Sequence, residues 1–312
     1  MRGFLASSVL SAVACAFPTA ATADVPPEER TTIDRIIGGK GAYSADDGAY
    51  KVVLPREAAT FFQNFQTLSP NLGLNSWVTF SSAIHQESIL AGQFLLLEDE
   101  VNPVLTVALE AGLEVSALSR SSVFYGLQMH TLDVSGRGTF RDLAVAFRKG
   151  LEEMRRVRRN PASGRTRWRL PSLPIESAID GRPLDAVLSM RGTVLAGVYK
   201  AAIGKRAVIH GELIGRELGI TTWVSVSGTN DHALVHGEFV EIPDDLRKVL
   251  KAMRMKGINI ESIQNHTVGE HPQFVFIRFW AQGAALELAK AKALRYVLEV
   301  DVGTISAPEA KL

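Results

Sequence analysis

Hydrophobic positions along this chain follow two periods, and the whole pattern occurs twice. Stretches 49–56, 75–83 and 89–97 are rich in β-branched and aromatic residues and predict strands, as do 197–203, 221–227 and 233–241. A short helix precedes each set, at about 31–38 and 181–190. After the third strand of each set comes a helix with acids in its first turn, where they complement the helix dipole: Asp99 and Glu100 in one, Asp244 and Asp245 in the other. Pro103 is tolerated there because it lies in that first turn. Gly112 and Gly257 sit where these helices should stop. Two more strands follow in each case (113–119 and 123–134; 258–266 and 273–281). A closing helix then spans 139–156 or 284–299, with Leu286, Ala289, Leu294 and Leu298 marking an apolar stripe in the second.

The residues themselves repeat, not only the periods. Gly48-Ala49-Tyr50-Lys51 returns as Gly197-Val198-Tyr199-Lys200, Trp77-Val78 as Trp223-Val224, and Gly92-Gln93-Phe94 as Gly237-Glu238-Phe239. Leu72-Gly73-Leu74 returns as Leu218-Gly219-Ile220, and Val104-Leu105 as Val249-Leu250. This is a duplicated domain and not a short solenoid repeat. Runs of strands broken by single helices indicate an α+β fold, two tandem copies each with a largely antiparallel sheet and flanking helices, packed about a pseudo-two-fold axis. The first copy is assigned to 30–156, an Arg-rich linker to 157–175, and the second copy to 176–305.

Composition narrows the chemistry. With 312 residues, 46% hydrophobic, the chain is globular. Its 34 basic and 33 acidic residues nearly cancel, which argues against nucleic acid as a partner. The one cysteine excludes a disulfide framework and any Cys-based metal site. That cysteine, Cys15, lies in residues 1–23, where Arg2, an apolar run from Phe4 to Phe17 and Ala21-Thr22-Ala23 have the form of a cleavable signal peptide. Export to the periplasm or the exterior follows. An alternative is lipid anchoring through Cys15, although Ala12 stands where a lipoprotein signal normally has Leu. Between the copies, seven arginines from Arg155 to Arg169 occur without an acid. They form either a solvated, extended linker or a contact with an anionic envelope surface.

The string Glu98-Asp99-Glu100-Val101-Asn102-Pro103-Val104, with Ser76-Trp77-Val78, Gly92 and Tyr50-Lys51-Val52-Val53-Leu54-Pro55-Arg56, resembles the LppY/LpqO family. These are exported bacterial proteins, often lipoproteins, built from two copies of a domain of unknown function. The resemblance implies export and duplication. Copies in that family usually carry His-x-His on the fourth strand, then an acid before a proline, then a histidine on the fifth strand, a set suited to a transition metal. This sequence departs from the pattern. The first copy has Ser119-Arg120-Ser121 and, at the last position, at most His130. The second has Gln264-Asn265-His266, then Glu270-His271-Pro272, then Arg278.

The candidate ligand-binding residues are therefore Gln264, His266, Glu270 and Arg278, with His266 and Glu270 the candidate metal ligands. Arg278, if buried, needs a carboxylate from Glu270 or Glu238, and an Arg–Glu–His cluster favours an anionic or sugar-like ligand over a cation. The leading expectation is a binding protein for a small polar or anionic envelope ligand, with no cofactor. The alternatives are an enzyme or binding protein dependent on a divalent transition metal, and a structural envelope protein whose sites have decayed. His232 and His236 lie roughly 13 Å apart on one strand, too far to share an ion. Trp77 and Trp223 are expected in the core.

Overall fold

A computed structural model describes residues 24–56, 62–63, 66–67, 74–83, 87–120, 129–160 and 176–290. The signal segment 1–23, Arg165, Arg167 and Arg169, Ser121, Leu294 and Leu298 lie outside them. In the first copy α1 (27–37) is followed by β1 (42–44), β2 (49–55), the two-residue strands β3 (62–63) and β4 (66–67), β5 (75–82) and β6 (88–97). Then come α2 (98–110), β7 (114–120), β8 (129–138) and α3 (140–159). Because α2 already starts at Glu98, Pro103 lies inside the helix and not in its first turn. The second copy runs α4 (181–188), β9 (193–195), β10 (198–204), β11 (207–209), β12 (212–214), β13 (221–228), β14 (233–241), α5 (243–255), β15 (259–264), β16 (275–283) and α6 (285–290).

Twelve strands form one sheet in the order β1-β2-β5-β6-β8-β7-β15-β16-β14-β13-β10-β9. The order reads the same from either edge when each strand is replaced by its counterpart in the other copy. The pseudo-two-fold axis therefore passes between β7 and β15, joined antiparallel at Leu118 and Ile263. Both residues are buried, and one apolar core runs from Val25 through both copies to Ala289. The fold is α+β with an antiparallel sheet, in two tandem copies.

Alternation along the strands places the helices on one face. Val78, Phe80, Leu90 and Phe94 in the first copy, and Val224, Val226, Val235 and Phe239 in the second, are buried in that core. The opposite face carries no α-helix among the described residues. Trp77 and Trp223 belong to this second face, paired with Gln93 and Glu238 respectively, and are only half-buried. This corrects the core assignment: period two identifies two faces without saying which receives the helices. A lysine covers each ring, Lys51 at 4.6 Å from the Trp77 centroid and Lys200 at 5.1 Å from Trp223.

The repeated glycines mark close approaches. A methyl group at Gly92 would stand 2.8 Å from the Phe147 ring, and one at Gly237 would stand 2.5 Å from the Trp223 carbonyl oxygen. The repeated tyrosines are equally constrained: Tyr50 donates to Asp34 at 2.7 Å and Tyr199 to Asp185 at 3.0 Å. Burial, reinforced by the partner carboxylate, raises the pKa of both phenols, so each stays a donor.

A cation ends the second strand of each copy. Arg56 donates from Nη1 to the Leu95 carbonyl at 2.6 Å, and Lys205 donates to the equivalent Val240 carbonyl. The N–H groups of Leu95 and Val240 are bound by the equivalent hydroxyls of Ser76 and Thr222, both at 3.0 Å. The partner acids differ. Arg56 reaches Glu100 of α2 at 2.8 Å, both side chains almost wholly buried, whereas Lys205 lies 3.7 Å from Glu241 of β14.

The linker boundary also moves. α3 continues to Arg159 because Val157 is buried and Arg158 reaches Glu100 at 3.3 Å, so 157–159 are helical and not linker.

Candidate functional site

On the helix-free face of the second copy, neighbouring strands bring polar and aromatic side chains together. Glu238 of β14 lies directly opposite Trp223 of β13 on one side and Arg278 of β16 on the other. Directly paired residues in an antiparallel ladder project to the same side, so the three form a row across the strands. Arg278 Nε donates to Glu238 Oε2 at 2.7 Å, with the arginine half-exposed and the glutamate mostly covered. Among the described residues the terminal nitrogens of Arg278 have no acceptor. Two residues along, His236 pairs with Trp280, rests edge-on against Trp223 at 5.3 Å between centroids, and lies 3.3 Å from Glu261.

The four residues singled out from the sequence divide. Gln264 closes β15 opposite Phe276, and Arg278, two positions further along β16, lies opposite Ser262, so both belong to the helix-free face. His266 is exposed in the following loop, its ring 5.0 Å from Phe276. It rests on Gly219, where a methyl group would come within 2.6 Å of Nε2.

Glu270 is buried inside the 265–274 connection, and its Oε1 accepts from the Phe274 N–H at 3.3 Å. Burial acts to raise the pKa of this carboxyl. The N–H groups of Glu270 and Phe274, with Thr267 and His271, outweigh that effect and hold it below the ordinary carboxylate range. Glu270 thus organises its own turn, and the carboxylate that meets Arg278 is Glu238. Among the described residues no three His, Cys, Asp or Glu side chains cluster in a way that would hold a metal ion.

Register also corrects the match between the copies. Gln93 is the counterpart of Glu238 and pairs with Asp133, so Asp133, not His130, occupies the place of Arg278. The Gln93 amide donates to Asp133 at 2.6 Å. The same cross-strand contact is therefore an amide–acid pair in the first copy and an acid–guanidinium pair in the second. His130 corresponds to Val275 and turns toward the helix side with Leu96. Ser119, the counterpart of Gln264, lies 2.9 Å from the Thr131 hydroxyl.

Sequence reasoning passed over the His236–Glu261 contact and the exposure of Trp223. The available signal was the two-residue spacing of His236 and Glu238, which puts both on one face.

The family model described as a Domain of Unknown Function (DUF1259) matches residues 31–153 and again 182–299. That is more than half of the chain, and the protein belongs to this family with two tandem copies of the domain. None of the curated proteins matches it. Among solved structures, a trimeric bacterial microcompartment shell protein, PduB, aligns over 84% of this chain and 93% of its own, at 11% identity and a TM-score of 0.19. Aspartate kinase from Synechocystis aligns over 75% of this chain and 41% of its own, at 13% identity and a TM-score of 0.15. At these TM-scores neither carries an argument.

Proposed function

We propose that this member of the duplicated-domain family is an exported binding protein that takes a polar, hydroxyl- or carboxylate-bearing ligand on the helix-free face of its second copy. One observation carries the reading. Glu238 fixes the Arg278 guanidinium through Nε, and among the described residues the terminal N–H groups have no acceptor, so the planar fork is oriented before a ligand arrives. A carboxylate or a pair of neighbouring hydroxyls matches such a fork. Beside it Trp223, one face of which Lys200 covers, and His236 supply ring edges against which a sugar-like body can lie, and Gln264 and His266 add polar groups at the rim. The signal-like segment 1–23 supports export, and the Glu98–Val104 string supports placement among the LppY/LpqO proteins.

The test is a tryptophan-fluorescence titration of the purified protein with neutral and uronic-acid oligosaccharides. Saturable binding is expected, favouring the acidic series and lost in Arg278→Ala. Absence of binding to either series, or binding unchanged in that variant, contradicts the reading.

A further inference from the structure

At the far end of the first copy, a cleft of about 410 Å³ opens between the end of β2 and the last two turns of α3. Its polar lining is dominated by Arg56, Arg155, Arg158 and Arg159, and Leu151 and Met154 form an apolar wall. No carboxylate lines it among the described residues. Glu100 lies behind the arginines and is already saturated: its Oε1 accepts from Arg56 at 2.8 Å and lies 3.3 Å from Arg158, and its Oε2 accepts from the Leu97 N–H at 2.9 Å. Arg56 Nε is buried and has no acceptor among the described residues. Arg155 and Arg159 are exposed and have no ion-pair partner among the described residues, whereas Arg156 on the neighbouring side of the helix is neutralised by Glu153 at 2.6 Å.

The charge balance indicates what the cleft accepts. Among the described residues four guanidinium groups face one carboxylate, and the C-terminal end of α3 adds roughly half a negative charge. An excess of more than two positive charges remains on a partly enclosed surface. A phosphate ester carries about 1.5 to 2 negative charges near neutral pH and presents several acceptor oxygens to guanidinium forks. A carboxylate would leave the cleft distinctly positive, and a bare inorganic ion would leave the Leu151 and Met154 wall unused.

We propose that this cleft is a binding site for an organic phosphate, distinct from the polar face of the second copy. The phosphate sits among Arg155, Arg158 and Arg159, with Arg56 and Glu100 holding Arg158 in place, and the carbon body lies against the apolar wall. The same chemistry occurs in a free phosphate monoester and in the headgroup of an anionic phospholipid.

The experiment measures binding of glycerol 3-phosphate by calorimetry and of phosphatidylglycerol vesicles by co-sedimentation, with phosphatidylcholine vesicles as the reference. The chain without its signal segment is compared with the double variant Arg155→Gln/Arg159→Gln. Both positions are exposed, so folding is retained. A second double variant, Arg191→Gln/Lys256→Gln, removes equal charge elsewhere. Losing two charge-assisted contacts should weaken binding by about tenfold or more, and the second variant should bind as the parent does. Binding of glycerol 3-phosphate with this pattern supports the site and a free ester as its occupant. The same pattern with phosphatidylglycerol vesicles alone supports the site and a lipid headgroup. No binding of either probe, or equal weakening by both double variants, overturns the proposal.

Discussion

Asn102, buried in α2 of the first copy, uses both ends of its amide on the main chain of Ile260 in the second. Nδ2 donates to the Ile260 carbonyl at 3.1 Å, and Oδ1 accepts the Ile260 N–H at 2.8 Å. Ile260 lies next to the bulge in β15, where its backbone groups need a partner from outside the ladder. With the shared core and the β7–β15 join, this contact makes the two copies one folding unit. Asn102→Ala strands two buried backbone groups and should cost roughly 2–4 kcal/mol in chemical denaturation. The parent should unfold in a single calorimetric transition, and two separated transitions would show that the copies are independent.

Glu100 neutralises Arg56 where water is excluded. Glu100→Ala leaves that guanidinium buried against Leu95 without its counter-ion, and a loss of about 3–5 kcal/mol is expected. Asp245, the counterpart of Glu100 in the second copy, pairs instead with Lys248 at the surface at 3.0 Å. Asp245→Ala should therefore change stability by less than about 1 kcal/mol. Urea midpoints for the two variants check the contrast.

His130 sets one limit on acid stability. Burial first, and then the positive charge of Arg120, hold its imidazole below the ordinary value, and among the described residues neither ring nitrogen has a hydrogen-bond partner. As pH falls through about 6.5, the unfolded chain takes up a proton that the folded chain still refuses, so stability declines until the folded imidazole also titrates. His130→Leu should flatten urea midpoints between pH 7 and 5. Glu270 acts in a lower window. Its depressed folded value contributes stability above the ordinary carboxylate pKa, and that contribution is lost as pH falls through the folded value. Glu270→Gln should reduce the pH dependence below about pH 5 and leave the histidine window intact.

On the proposed reading, Arg278 should contribute to recognition far more than to folding. Because the Arg278–Glu238 pair is half-exposed on the arginine side, Arg278→Ala should shift stability by less than about 1 kcal/mol. A loss of several kcal/mol in denaturation would make the pair a structural element and remove it from the site.

Much of the architecture was legible in the chain. Gly92 and Gly237, Tyr50 and Tyr199, and Trp77 and Trp223 announced the duplication, and each pair occupies equivalent structural places. The sheet across the axis was not legible, because the meeting of Leu118 with Ile263 depends on how two copies dock and not on any local period. Nor was the Arg56–Glu100 pair, whose members stand 44 residues apart and meet only when β2 and α2 close on β6. In the candidate site, the shared face of Gln264 and Arg278 followed from strand alternation. The inward turn of Glu270 did not, because loop geometry decides which way a carboxylate in a connection faces.

The central claim is that ligand recognition resides on the helix-free face of the second copy. The most direct measurement is amide chemical-shift mapping of the isotopically labelled protein during titration with an acidic oligosaccharide. Shifts are expected along β13, β14 and β16, centred on Trp223, Glu238 and Arg278, with the equivalent strands β5, β6 and β8 unmoved. Shifts confined to the helix side or to the first copy, or none at all at saturating oligosaccharide, would contradict it.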